Sequence, residues 1–283
     1  MRKNIPLQKT SLLLTYNIII QTRNLSNFFY TVFIYFYRLL DKKTAAAYNE
    51  TMQEIISVTP VAYIRNDFKE KFGIPRQSGR APSVVSRIVF TEAYRDENTL
   101  RGIESFSHLW LLFHFSQTEE KTFSPTVRPP RLGGNTRVGV FASRSPFRPN
   151  RIGLSCVKLL GVERTKDDGD VLLVSGADLL DGTPIIDIKP YIPFTDCKTD
   201  AVGGYADEHE NDRLQVIFPD ELLQALPKEK RKGLIECLAD DPRPSYQDDP
   251  ARIYGMRFGD FEIKFRVQQN ELYVVDVNKE LFV

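Results

Sequence analysis

The sequence is short of the residues that staple a small domain or load it with metal. Its three cysteines, Cys156, Cys197 and Cys237, are an odd number at wide spacings, so they build neither a disulfide framework nor a zinc-type spacing. Three histidines, His108, His114 and His209, leave a histidine-rich metal centre without ligands. No G-x-G-x-x-G follows a strand-like run and no G-x-x-x-x-G-K-S/T occurs, which excludes the usual phosphate-cradling loops. A large excess of one charge is also missing, because the net charge is +1. Residues 1–51 hold seven Lys/Arg and two Asp/Glu, which leaves 31 basic and 35 acidic residues in 52–283, a net of −4. Nucleic-acid binding by that part must therefore come from a local patch. What remains is an ordinary globular composition of 283 residues, 42% hydrophobic and 27% charged, with 16 glycines and 17 prolines. It excludes collagen-like and wholly disordered chains, and it supplies a core that needs no staples.

Residues 1–51 do not read like the rest. They carry apolar runs at 12–14 and 18–20 and an aromatic run at 28–37. That last run is about half of the ~20 apolar residues a membrane-spanning helix needs. Three readings stay open: a non-native or mis-started extension ahead of Met52, a targeting or membrane-surface segment, or a structural element. Regular patterning begins near Met52, where the functional protein is expected to start.

From there the patterning is mainly β. Short strands are expected within 57–65, over 84–90 and 155–163, at 137–142 and 171–174, and in part of 184–192. The run H-L-W-L-L-F-H-F at 108–115 predicts a strand buried on both faces, with Trp110 in the core. The cysteines read as small core residues. Helices are expected at 219–226 and 228–238, followed by a meander over 253–277 with turns at Gly259-Asp260 and Gln269-Asn270. Strands at short spacing with Gly/Pro turns predict a small β-barrel at 52–200 and a smaller α+β subdomain at 201–283. No membrane association is expected of 52–283, and a cytoplasmic protein is expected.

The most unusual stretch is 125–155. Arg128, Arg131, Arg137, Arg144, Arg148 and Arg151 fall in a window with no acidic residue between Glu120 and Glu163. Guanidinium groups fork onto phosphate or carboxylate and stack on bases. The prolines stiffen the loop, and Gly133-Gly134 lets backbone N–H groups approach a ligand. Such a segment points to an anionic ligand or RNA, although a solvated loop paired with distant carboxylates has the same composition. A second constellation, D-L-L-D-G-T-P-I-I-D-I-K-P-Y at 178–191, sets Asp178, Asp181, Asp187 and Lys189 in an apolar strand-turn-strand. Plain turn chemistry with Lys189 on Asp187 is one reading; the other wall of a ligand site is the second. The polar segment D-D-P-R-P-S-Y at 240–246 reads equally as a loop cover or a ligand contact.

The strings P-R-Q (75–77), R-G-I-E-S-F-S-H-L-W (101–110), P-T-V-R-P-P-R-L-G-G-N (125–135), V-F-A-S-R-S-P-F-R-P-N (140–150), D-G-T-P-I-I-D-I-K-P-Y (181–191) and D-P-R-P-S-Y (241–246) closely resemble the TsaA-like family, whose bacterial members are the TrmO tRNA methyltransferases. The resemblance covers about 52–283. It implies a β-barrel methyltransferase unrelated to the Rossmann type, acting as a homodimer. It implies binding of S-adenosylmethionine and methylation of N6 of the threonylcarbamoyl-adenosine beside the anticodon of threonine-accepting tRNA. Cofactor contacts would fall at Arg76, Gln77, Ser78, Ser116, Gln117, Arg144, Asp178 and the Leu154 backbone. Arg148, Asp181, Lys189 and Tyr191 would line the substrate side. Two departures stand out: Arg151 replaces a proline that the family commonly has, and residues 1–51 have no counterpart.

The residues agree with that chemistry. An anticodon loop presents splayed bases, and Phe141 and Phe147 among the arginines suit phosphate tracking with stacking, for which Arg128, Arg131, Arg137 and Arg148 are the RNA-binding candidates. Methyl transfer asks the protein mainly to align donor and acceptor. Asp181 or Asp187 is expected to take the N6 proton, with Lys189 and Tyr191 completing the catalytic set; the alternative is that water takes it. Competing classes are a non-catalytic RNA- or nucleotide-binding module and a hydrolase or lyase of an anionic small molecule.

Overall fold

The structure, a computed structural model, describes residues 55–118, 123–244, 247 and 249–280, the side chain of Arg131 excepted. The 1–51 segment, with its three readings, lies outside the described residues, as do Ser245 and Tyr246 of the polar 240–246 segment. The described residues from Val58 onward form one compact unit.

Period-two alternation builds the barrel. Strand β1 (Ala62–Arg65) buries Ala62 and Ile64 and turns Tyr63 and Arg65 outward. Strands β2 (Val85–Phe90) and β3 (His108–His114) follow the same rule. After the two-residue pair β4 (Thr126–Val127) and β5 (Val138–Gly139), the long β6 (Ile152–Thr165) turns back through β7 (Gly169–Ser175), and β8 (Pro184–Pro190) completes the set. Six strands form a ring in the order β1-β2-β7-β6-β3-β8, and β8 pairs back onto β1 through Ala62–Ile185 and Tyr63–Pro184. Closure leaves no sheet edge. The interior holds Ile64, Ile88, Leu109, Leu111, Phe113 and Leu172 among others, each stabilising the fold by roughly 1.5–3 kcal/mol on burial. Gly153 faces this interior opposite Phe113; a Cβ there would lie 2.2 Å from the ring, so only glycine lets Phe113 cross the barrel.

The second sheet runs β10 (Tyr254–Phe258), β11 (Phe261–Gln268), β12 (Glu271–Lys279) and β9 (Gln215–Ile217), with β9 parallel to β12. Helices α1 (Asp220–Gln224) and α2 (Lys228–Ala239) precede the meander as expected. Leu234, Cys237 and Leu238 of α2 pack on Met256, Ile263 and Phe265. Phe68, Ala81 and Val84, from the segment between β1 and β2, belong to this same core. The connection from β1 to β2 thus leaves the barrel and is anchored in the second sheet's core. No helix of the described residues is long and apolar enough to cross a membrane.

Several local expectations change. Strand β3 is buried on one face only: Leu109, Leu111 and Phe113 point inward while His108, Trp110, Leu112 and His114 are half-buried outside. An apolar run does not show its period, and a barrel has one inside. Trp110 is not core; its indole N–H donates to Asp196 (3.0 Å) and its ring lies 5.7 Å from that of Tyr191. Of the cysteines only Cys237 is buried, and burial pushes its thiol up; Cys156 is half-buried and Cys197 exposed. The strand expected at 137–142 shrinks to Val138–Gly139 followed by a 3₁₀ turn over Val140–Ala142.

Candidate functional site

The arginine segment leaves β3, makes its short β4–β5 ladder and re-enters the barrel at β6. Pro129 and Pro130 open a turn that Gly133 and Gly134 close with left-handed φ of 70° and 72°, a conformation that disfavours other residues. The segment therefore stays outside the barrel as one wall of a cleft of about 1630 Å³. The segment after β1, the turn after β3, the β7–β8 connection and the loop after α2 supply the others.

This cleft gathers residues far apart in the chain. Arg76, Gln77, Ser116, Gln117, Arg144 and Asp178, all expected on the cofactor side, line it, as do Arg128, Arg137 and Arg148 from the expected RNA set. Arg144 donates to the side-chain oxygen of Gln77 (2.7 Å). Arg137 donates to Thr126 (2.8 Å) and Arg148 to the carbonyl of Ser143 (3.1 Å), which fixes the turn between them. Phe123, Phe141 and Phe147 also line the cleft and are 59%, 76% and 49% exposed. Exposed phenyl rings among guanidinium groups give a surface that can track phosphates and stack planar bases.

Asp178 is the electrostatic centre of the cleft. Burial pushes its carboxyl above the ordinary carboxylate value, opposed by a hydrogen bond from Ser155, by the Arg144 charge and by the Ser78 backbone N–H. The other cleft carboxylates of described residues, Asp240 and Asp241, are held by Arg80 and Arg243. A ligand carrying both a carboxylate and cationic groups finds complements here in Arg144, the Gln77 amide and Asp178, so the residues present fit S-adenosylmethionine.

The departure at Arg151 has a structural outcome. Its φ is 48°, a left-handed conformation that a proline ring, locked near −65°, forbids. The Arg151 carbonyl accepts from Phe115 N (2.9 Å) and its guanidinium donates to the Thr118 carbonyl (3.0 Å). This side chain holds the Ser116–Thr118 turn through that bond.

Of the remaining expected residues, Ser78, Leu154, Asp181, Asp187, Lys189 and Tyr191 do not line this cleft. The Ser78 backbone N–H lowers the Asp178 carboxyl against the effect of burial. Asp181 accepts from Asn66 N and Lys69 Nζ, both at 2.9 Å, and so closes the connection beyond β1. Asp187 and Lys189 pair with each other at 2.8 Å on β8, and Tyr191 follows beside Trp110. Leu154 is 50% exposed on β6 opposite Leu112. The side chain of Arg131 lies outside the described set. Sequence reasoning missed Phe123 and Ser155 as site residues. Ser155 had a signal: it is the polar residue at an inward position of an otherwise apolar alternation in β6.

A family model described as the tRNA-methyltransferase O N-terminal domain matches residues 63–197, and one described as the TrmO C-terminal domain matches 211–280. A tRNA (adenine(37)-N6)-methyltransferase of Escherichia coli is 44% identical over 215 residues, covering 73% of this chain and 91% of that protein. A Pseudomonas aeruginosa protein provisionally named an S-adenosylmethionine-dependent methyltransferase is 43% identical over 232 residues, covering 78% and 97%. Among solved structures, a crystal structure of TrmO from Pseudomonas aeruginosa superposes with a TM-score of 0.63 at 35% identity over 80% of this chain and all of that one.

Proposed function

The chain belongs to the TrmO family of tRNA methyltransferases, and from that premise we propose that it methylates N6 of threonylcarbamoyl-adenosine beside the anticodon of threonine-accepting tRNA, with S-adenosylmethionine as donor. The observation that carries this reading is the union, in one cleft, of the half-buried Asp178 with Arg144 and of exposed phenyl rings with further arginines. When bound, S-adenosylmethionine supplies a methyl group on a positively charged sulfur. Arg76, Gln77, Ser116, Gln117, Arg144 and Asp178 hold it, by side chain or backbone, and Ser78 acts behind them on Asp178. Arg128, Arg131, Arg137 and Arg148 take the RNA phosphates, while Phe141 offers a face to an unstacked base. Asp178 is the proton acceptor this reading prefers over Asp181 and Asp187. Its raised carboxyl is a stronger base than an ordinary one, and it already faces the cleft. A tRNA substrate fits a cytoplasmic enzyme.

The reading includes a homodimer. The outer face of β8, β3 and β6 carries Asp187, Lys189, Trp110, Leu112, Leu154 and Ile152, of which Leu154 and Ile152 are 50% and 42% exposed. A second copy seated there would cover this apolar face. It would also let Asp187, Lys189 and Tyr191 act in the partner's cleft. Leu154→Asp is expected to shift the protein to monomer in sedimentation velocity. A wild-type monomer, or a variant that stays dimeric, removes this part of the reading.

The reading as a whole is tested by incubating the full chain with labelled S-adenosylmethionine and tRNA with or without the threonylcarbamoyl group, followed by mass spectrometry of anticodon-loop nucleosides. Methylated threonylcarbamoyl-adenosine is expected from the modified tRNA only. Tight tRNA binding with no methyl incorporation would return the protein to the class of binding modules.

A further inference from the structure

The cleft's two innermost walls are joined by one carboxylate. Asp240 follows α2 and is only 6% exposed. One of its oxygens accepts from the backbone N–H of Arg76 (3.0 Å), and the other accepts from Arg80 Nε. Arg80 donates one bond from each of its two terminal nitrogens, to the carbonyls of Glu210 (2.7 Å) and Asp212 (2.8 Å). Arg76 in turn spends a guanidinium nitrogen on the carbonyls of Asp241 (3.0 Å) and Arg243 (2.7 Å). Arg243 grips the Asp241 carboxylate with two nitrogens at 2.9 and 3.0 Å, and Asp241 itself takes a left-handed φ of 50°. The P-R-Q segment of the barrel half and the D-D-P-R loop of the second sheet are thereby bolted together.

We infer that Asp240 is a positioning residue for cofactor binding, which acts by fixing the segment that carries Gln77 and Ser78. This rests on the reading that S-adenosylmethionine binds against that segment. The chain of contacts is short. Asp240 holds the N–H of Arg76, and the next residue, Gln77, takes Arg144, whose charge acts on Asp178. The frame behind Asp240 is rigid, because Leu234, Cys237 and Leu238 bury α2 in the same core that holds Phe68, Ala81 and Val84 on either side of the P-R-Q segment. An ion pair this buried is a poor device for stability alone, since well-packed apolar side chains commonly do as well or better. Its donors and acceptors are satisfied in a direction that aims backbone into the cleft, and orientation is what an ion pair with hydrogen bonds adds over apolar packing.

The test measures S-adenosylmethionine binding to the full chain by calorimetry, without RNA. Asp240→Asn keeps the shape but removes the charge, and Arg80→Gln breaks the same clamp from the other side. Each is expected to raise the dissociation constant about tenfold, the loss of one charge-assisted hydrogen bond. The two together are expected to cost little more than either alone, because they break one device. Arg80→Lys, which keeps the charge, is expected to fall between. A residue that only stabilised the fold would lower the melting temperature and the fraction of binding sites but leave the dissociation constant of the folded fraction unchanged. Should Asp240→Asn not fold, Arg80→Gln carries the measurement. Wild-type binding with unchanged constants in the folded variants overturns the inference and leaves the proposed function standing. A wild-type chain that does not bind S-adenosylmethionine overturns the proposed function and this inference with it.

Discussion

Arg144→Ala is expected to weaken S-adenosylmethionine binding about 100-fold, more than any other single change in the cleft. A hydrogen bond from a charged group contributes about 1.5–3 kcal/mol, and this guanidinium has two consequences at once. It fixes the Gln77 amide at 2.7 Å, and its charge opposes the burial that pushes Asp178 up. The second consequence has a pH signature. The Asp178 carboxyl titrates above its ordinary 3.8, is neutral below the raised value and ionised above it. For stability, burial favours the protonated form, so this group's contribution is fully present below 3.8 and is lost as pH rises through the raised value. For binding the sign reverses, because the ionised form is the one that complements a cationic ligand group. Affinity is therefore expected to fall as pH drops through the raised value. In Arg144→Ala the fall should begin at higher pH, since a counter-charge has gone. Asp178→Asn should flatten the profile. Calorimetry across a pH series checks all three, and an unchanged constant in Arg144→Ala removes Arg144 from the cofactor site.

The parts of this site that the sequence made legible are those whose signal is local. Six arginines with no acid among them stood out because charge isolation needs no third dimension, and the structure turns that segment into one wall of the cleft. Likewise the helix at 228–238 and the meander at 253–277 follow from period and turn residues, and the structure has both, as α2 and as β10–β12. The hairpin 178–191 was legible as a polar group but not in its division. Asp178 faces the cleft, Asp181 closes a turn against Asn66 and Lys69, and Asp187 with Lys189 stands on the outer face of β8. The placing of Asp187 and Lys189 depends on where β8 begins, and a one-residue slip would reverse its faces. Asp240 was legible only as a member of a polar loop. Its partners, Arg76 and Arg80, are 164 and 160 residues away, and no local pattern reaches so far. The family motifs brought Arg76 and Gln77 into view, whereas the contacts that hold them came from the fold alone.

The second large effect concerns RNA. Phe141 is 76% exposed at the cleft, so its removal opens no cavity in either core. Stacking of one base on an aromatic ring is worth about 1–3 kcal/mol by alanine substitution, so Phe141→Ala is expected to raise the KM for tRNA roughly 10- to 100-fold. The dissociation constant for S-adenosylmethionine should stay at the wild-type value, and Phe141→Trp should keep most of the RNA affinity, because any flat ring offers a face. Arg128→Ala makes the contrasting case on the same wall. Losing a phosphate contact should reduce the slope of log affinity against log salt by about 0.7 for single-stranded RNA, whereas losing a stacking ring should leave that slope alone. The pair of slopes separates the two roles within one surface. If Phe141→Ala instead weakened cofactor and tRNA binding by the same factor, the ring would be shaping the donor's pocket, and the arginines alone would have to hold the anticodon loop.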